Sequence, residues 1–318
     1  MKSPVRSQVT VVLNRESGTM VRADPDVVEA DLRKILEELG CTAEIHCVPG
    51  KGIDKALHAA LAGDADAVFV GGGDGTVASA AHLFQGSDKP IGILPLGTLN
   101  LAARDVGMPL DWREAVKLLV DAPVGHMDLL DVDGRTYLSM LILGSYPSLM
   151  MSRPEYHGSW VGKTFRSFWN AFASAAKFPP FSLRLNDGEK VHLHRTRLAL
   201  LANNDYEDIF GVIPQRQSLD AGFFTVYVSK HRSLFGMAKS AGSWILGRWK
   251  QDREISKMRA TELEIDVKKT RELAVMIDGE LEKVPSPFRV KLLPKALKVI
   301  APRLAVEAGK AEQDAAAV

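Results

Sequence analysis

Apolar positions along the first 122 residues alternate between two periods. Short runs at 8–13 (QVTVVL), 42–48 (TAEIHCV), 66–72 (DAVFVGG) and 90–96 (PIGILPL) are continuously apolar or β-branched and read as strands. Between them, residues 24–40, 52–63, a segment from about Thr76, and 110–122 carry apolar residues three and four apart, the spacing of a helix with one buried face. In 24–40 that face is read as Val27, Leu32, Ile35, Leu36 and Leu39, with Pro25 near the start and Gly40 at the end. Strands alternating with helices predict a parallel sheet with helices on both faces, and ligands of such sheets bind beyond the C-terminal strand ends.

From about residue 125 the period falls to two. Asp133-Gly134 and Asp187-Gly188 stand between strand-like runs as hairpin signals, and 223–229, 261–267, 272–280 and 288–293 continue the alternation. The expected organisation is an α/β domain over 1–122, a mainly antiparallel β-sandwich domain over 123–304, and a disordered tail over 305–318. Two helical insertions are expected within the second domain, at 160–178 and 232–250. In the first, Val161, Phe165, Phe168, Trp169, Phe172 and Ala176 fall on one face and Lys163, Arg166, Asn170 and Lys177 on the other. Such a face packs on a sheet or lies in a membrane surface.

Composition narrows the class without choosing a function. Across 318 residues, 46% apolar and 25% charged content are those of a globular protein, and a net charge of +1 gives no global attraction to nucleic acid. Cys41 and Cys47 have no metal-ligand spacing around them and read as reduced thiols. His192 and His194 share a strand face, with no third ligand in the pattern, and read as polar sheet positions. Without a signal-peptide core or an 18-residue apolar run, the expected location is the cytoplasm, with peripheral association at the inner membrane face.

The candidate chemistry sits at the third strand end, in Gly71-Gly-Gly-Asp-Gly-Thr76. The loop lacks the Gly-Lys-Ser/Thr of a P-loop. It fits a dinucleotide fingerprint literally, but follows the third strand rather than the first, and an aspartate in the turn would repel a pyrophosphate. A tight turn with a capping aspartate is the plain alternative. Glycine amides that approach a triphosphate, beside a carboxylate that holds Mg²⁺ or orients a hydroxyl, suit phosphoryl transfer better. A second strand–turn–helix unit at 93–109 brings Thr98 and Asn100 alongside as neutral donors.

In order along the chain, Asn14-Arg-Glu-Ser-Gly18, Gly72-Gly-Asp-Gly-Thr76, Pro95-Leu-Gly-Thr-Leu-Asn100, Ala202-Asn-Asn204 and Asp278-Gly-Glu280 resemble the motifs of the diacylglycerol kinase catalytic-domain family. These are bacterial lipid kinases related to sphingosine and ceramide kinases. The resemblance spans about residues 8–303 and implies a NAD kinase/diacylglycerol kinase-like fold with the site in the cleft between its domains. It implies ATP and Mg²⁺ as cofactors. The phosphates would lie on Gly72, Gly73, Asp74, Gly75, Thr76 and Thr98, with Asn14 and Asn100 nearby. Glu280 would accept the proton of a lipid hydroxyl, supported by Asp278 and Asp74. The implied reaction is diacylglycerol to phosphatidic acid, in phospholipid biosynthesis, with ceramide or a sphingoid base as the alternative acceptor. NAD kinase shares the glycine loop, and a non-catalytic nucleotide or lipid sensor or a dehydrogenase would use the same fold. The implied partner is a lipid at a membrane surface, with Trp160, Phe165, Phe168, Trp169 and Phe172 as acyl contacts. No nucleic acid is expected, and a homodimer is left open.

Two positions depart from the family pattern. Where the family's D-D-G-x-L segment gives a carboxylate to a structural Mg²⁺, this chain has Ala221, with Asp220 one residue earlier. Neighbours in an extended segment point to opposite faces, so Asp220 is a poor substitute. Residues 48–53 (VPGKGI) lack the family's nucleotide-touching threonine and carry Lys51 instead.

Overall fold

The structure is a computed structural model that describes residues 6–144, 179–206, 216–231, 252 and 254–304. Two compact units emerge, Met1–Leu129 with Pro294–Val318, and Leu130–Leu293. The expected insertions at 160–178 and 232–250, the aromatic stripe and the tail lie outside the described residues.

The first unit runs β1 (Gln8–Asn14), α1 (Gly18–Ala23), α2 (Pro25–Glu38), β2 (Thr42–Val48), α3 (Ile53–Ala62), β3 (Ala67–Gly72), α4 (Asp74–Phe84), β4 (Ile91–Pro95), α5 (Leu101–Asp105) and α6 (Trp112–Leu119). Its strands pair in parallel in the order β2-β1-β3-β4. Strands β3 and β4 are buried along their whole length, which is why both read as unbroken apolar runs. Asp24 caps α2 through the amide of Asp26, and Asp111 caps α6 through Arg113 and Glu114. The buried face of α2 is Val28, Leu32 and Leu36, whereas Val27 and Leu39 are exposed. The strict four-residue repeat sets the packed stripe, and Val27 lies about 100° around the helix from it.

Strand β5 (Val124–Val132) leads into the second unit, which adds β6 (Arg135–Tyr137), β7 (Met140–Gly144), β8 (Phe181–Asn186), β9 (Val191–Thr196), β10 (Leu198–Asn203), β11 (Phe224–Ser229), β12 (Ile255–Ala260), β13 (Glu262–Val267), β14 (Glu272–Ile277), β15 (Glu280–Pro285) and β16 (Phe288–Ile300). From Pro294 onward β16 belongs to the first unit. One sheet has the order β12-β11-β10-β7-β14-β15, antiparallel throughout, and β13 pairs antiparallel with both β16 and β8, which carries β9. Alternate residues of the two layers meet in a core that includes Leu141, Leu201, Val226 and Val275 from one and Leu185, Ile265, Phe288 and Val290 from the other. This is the β-sandwich that the two-residue period predicts.

Candidate functional site

Three loops of the first unit converge at the C-terminal strand ends. Asn14 closes β1, and its side chain both accepts from the Glu16 amide at 3.0 Å and donates to Thr76 Oγ1 at 3.0 Å. Glu16 in turn accepts from the Gly50 amide at 2.8 Å, which fixes the turn carrying Lys51. The Thr19 amide donates to the Leu96 carbonyl at 2.9 Å, so the 14–19 turn is tied to the 96–100 loop as well.

The glycines of these loops divide into two kinds. A Cβ on Gly71 would lie 2.5 Å from Leu13 Cδ2, one on Gly72 2.6 Å from the Thr76 side chain, and one on Gly97 2.5 Å from the Gly73 Cα. Those three are glycine because protein atoms crowd them. Gly73 is different: its Cβ would meet nothing closer than 3.9 Å, and its φ of −83° is open to any residue. It is the N-cap of α4 and offers no side chain to the helix start. The open face beside it lies at the positive end of an 11-residue helix, a position that favours an anion. In the 14–19 turn, the Ser17 hydroxyl is buried with no hydrogen-bond partner among the described residues.

Asp74 and Asn100 shape this cradle. Asp74 Oδ1 accepts from the Ala102 amide at 3.2 Å, pulling the start of α5 against the glycine loop. Asn100 takes a left-handed φ of 53°, and its side chain brackets Gly97, accepting from the amide at 2.8 Å and donating to the carbonyl at 3.1 Å. Its amide group is therefore committed to the loop that carries Thr98, whose side chain is exposed.

In the second unit, Asp278 and Gly279 have φ of 50° and 90° and form the two-residue hairpin turn between β14 and β15. The Asp278 carboxylate is buried. It accepts from the amides of Leu138 at 2.6 Å, Ser139 at 2.7 Å and Met140 at 3.0 Å. Burial pushes this carboxyl up, against the pull of those amides and of the Arg216 guanidinium. Asp278 is thus an anchor for the turn. Glu280, two residues on, is exposed at the first position of β15 and free of that packing.

Two residues of this unit escaped the sequence reading. Arg216 is fully buried and donates to the Leu138 carbonyl and to Ser139 Oγ. Asp205, buried beside the Ala202–Asn204 motif, accepts from Thr225 at 2.8 Å, Tyr227 at 2.7 Å, Lys257 at 2.9 Å and Arg259 at 2.6 Å. Burial alone would raise Asp205, yet these donors hold its carboxyl well below the usual range. The only forewarning was Lys257 and Arg259 two apart on one strand face. Asp220 and Ala221 are both exposed, and Asp220 Oδ1 accepts from Ser218 Oγ at 3.3 Å. His192 lies 3.2 Å from Asp187, within its own hairpin. Among the described residues no three His, Cys, Asp or Glu side chains group as metal ligands, and no helix is long and apolar enough to cross a membrane.

Comparison with known proteins agrees with both units. Residues 8–132 match the diacylglycerol kinase catalytic domain, and residues 155–301 match the YegS C-terminal NAD kinase beta sandwich-like domain. A diacylglycerol kinase of Mycobacterium tuberculosis is 27% identical over 254 residues, covering 78% of this chain and 80% of that one. A "Probable lipid kinase YegS-like" of Pseudomonas fluorescens is 30% identical over 154 residues, 47% of this chain and 50% of its own. The crystal structure of a diacylglycerol kinase from Bacillus anthracis superposes with a TM-score of 0.72 at 20% identity, covering 94% of this chain and 98% of that one, which establishes the shared fold.

Proposed function

We propose that this chain, a lipid kinase by its resemblance to the diacylglycerol kinase catalytic-domain family, transfers the γ-phosphate of ATP to the free hydroxyl of a diacylglycerol, giving phosphatidic acid. The observation that carries the reading is the open face at Gly73. Three neighbouring glycines are filled by protein, and this one is left clear at a helix N-terminus.

The triphosphate lies along Gly72–Thr76, where amides approach it without side chains between. Thr98 donates from the facing loop, and Asn14 holds Thr76 in place. Glu280 takes the proton of the lipid hydroxyl as the new P–O bond forms and the bond to ADP breaks; an alcohol is too weak an acid to attack unaided. Asp278 sets the turn that presents it. Asp74, the carboxylate within the glycine loop, would hold Mg²⁺ through a hard oxygen. When bound it offsets charge on the transferring phosphoryl group. The acyl chains and the membrane surface fall to the 145–180 segment, on its sequence alone.

The test is purified protein with labelled ATP, Mg²⁺ and detergent-dispersed diacylglycerol, monoacylglycerol, ceramide and sphingosine, with NAD as a further acceptor. Label should enter diacylglycerol and be lost with Glu280→Gln and with Asp74→Asn. Label in ceramide or sphingosine alone moves the acceptor and keeps the chemistry. Label only in NAD, or none with ATP still bound, overturns the lipid kinase reading.

A further inference from the structure

Among its described residues, the second unit does not fit the structural Mg²⁺ that the family resemblance implies. Ala221 has no carboxylate, and Asp220 is exposed in a local bond with Ser218. Asp278, the buried carboxylate of the unit's functional turn, has three backbone amides on its two oxygens. A carboxylate has about four lone-pair sites in all, so little of it is left for a metal.

The unit contains a cation of another kind. Arg216 is among the fully buried side chains, and a guanidinium does not shed its charge to escape burial. Its backbone is held against the end of the 198–206 segment. Tyr206 and Arg216 form an antiparallel bridge, and the Gln217 amide donates to the Asp205 carbonyl at 2.8 Å. From there the guanidinium reaches the Leu138 carbonyl and Ser139 Oγ, on the very residues whose amides Asp278 holds. Asn203 closes the same segment, donating from Nδ2 to the Leu138 carbonyl at 2.7 Å and from its amide to the Ser139 carbonyl at 2.8 Å. The Asp278 amide returns to the Met140 carbonyl at 3.0 Å. One short segment thus has an anion on its amides and a cation on its carbonyl side, and the Glu280 turn is fastened to it.

We infer that Arg216 is a positioning residue for Glu280. It is a built-in cation that locks Leu138–Met140 against Asp278, so the base-bearing turn is set with no resident metal in this unit. The positioning of Glu280 rests on the kinase reading above; the metal-free lock does not. An arginine suits the task because its charge is permanent and one of its nitrogens, Nη2, serves a carbonyl and a hydroxyl together.

The experiment uses the full chain, free of nucleotide, as wild type, Arg216→Met and Arg216→Lys. The wild-type melting midpoint should stay within about 1 °C between excess EDTA and millimolar Mg²⁺, and elemental analysis after gel filtration in metal-free buffer should find no stoichiometric metal. Arg216→Met should lower the midpoint by roughly 6 °C or more, the scale of a broken buried charge pair, with no recovery in Mg²⁺. Arg216→Lys, which keeps the charge and loses the fork, should melt between the two. In the lipid kinase assay it should lose kcat on the order of tenfold with KM for ATP unchanged. A wild-type midpoint that falls with EDTA, about one metal ion per chain, or Arg216→Met melting like wild type would each overturn the inference. If Arg216→Met does not fold, the wild-type metal arms and Arg216→Lys still decide it. If no lipid is phosphorylated while the melting and metal results hold, the kinase reading fails and the internal cation stands.

Discussion

Asp205→Asn should weaken the second unit strongly at neutral pH and less in acid. The substitution keeps the shape and removes the charge. Asp205 is 3% exposed, whereas the Lys257 and Arg259 side chains that bond it are 37% and 56% exposed. Charge-assisted bonds are worth about 1.5–3 kcal/mol each when shielded; solvent screening at these cations brings each nearer ~0.5–1 kcal/mol. An asparagine can keep its oxygen on Lys257 and Arg259, but its amino group then faces the Thr225 and Tyr227 hydroxyls, which must accept instead of donate, at a cost of about 1–2 kcal/mol. Together these give ~2–4 kcal/mol at pH 7, or about 5–15 °C in the midpoint of a unit this size.

The sign of the pH dependence follows from the depressed carboxyl. Its stabilisation is complete above the unfolded value of about 3.9 and is lost as pH falls toward the folded value, at ~1.4 kcal/mol per pH unit. The difference between wild type and variant should therefore be constant from pH 7 to about pH 5 and narrow by roughly 1 kcal/mol by pH 3. Calorimetric melts of both proteins across that range are the assay. A gap as wide at pH 3 as at pH 7 would refute the account, since the Asp205 charge would then contribute nothing.

The other expectations concern the two ends of the reaction and the frame around them. Gly97→Ala drives a Cβ to 2.5 Å from the Gly73 Cα, where backbone cannot yield, and should cost about 1–3 kcal/mol in melting as well as ATP affinity. Gly73→Ala has room in the free protein, so it should melt within about 0.5 kcal/mol of wild type yet bind ATP at least ~10-fold more weakly in calorimetric titration. Glu280→Gln, at an exposed position, should leave the midpoint alone and lower kcat by about 10²–10⁴ with KM for ATP unchanged. Arg6→Met should destabilise the first unit by ~1–3 kcal/mol in urea, because the guanidinium caps the end of α6 through the carbonyls of Leu119, Val120 and Ala122.

The first unit was legible because its signals are local. An apolar run bounded by glycine or proline is the same object in the sequence and in the structure, and β1 to β4 start and stop within a residue or two of the runs that predict them. The turn glycines behave alike: Gly134, Gly188 and Gly279 all follow an aspartate and all have positive φ. What failed was the choice of face. In α2 both Val27 and Val28 are apolar, and only the sheet beneath decides that Val28 is the one buried. The 288–293 strand likewise extends to Ile300, past Lys295 at φ 51°, because the Lys295 amide finds Asp128 and the chain then joins the first unit.

The site followed the same division. Gly72–Thr76 and Asp278–Glu280 carry their meaning in consecutive residues. The groups that hold them do not: Asp278 is satisfied from residues about 140 positions earlier and Arg216 from 77 and 78 earlier. In Pro214-Gln-Arg-Gln-Ser218 nothing separates a buried guanidinium from a solvated loop charge, and Asp205 reads as a turn residue. Periodicity reports which side of an element is apolar. It cannot report which polar side chain crosses that side, because the driving term is the cost of leaving a buried group unpaired, and its partner is chosen by the fold. Asp278 was picked out by its motif and assigned to support the base. The structure shows that this carboxylate fixes the backbone of the turn while Glu280, two residues on, stays exposed, which is the arrangement the proposed base requires.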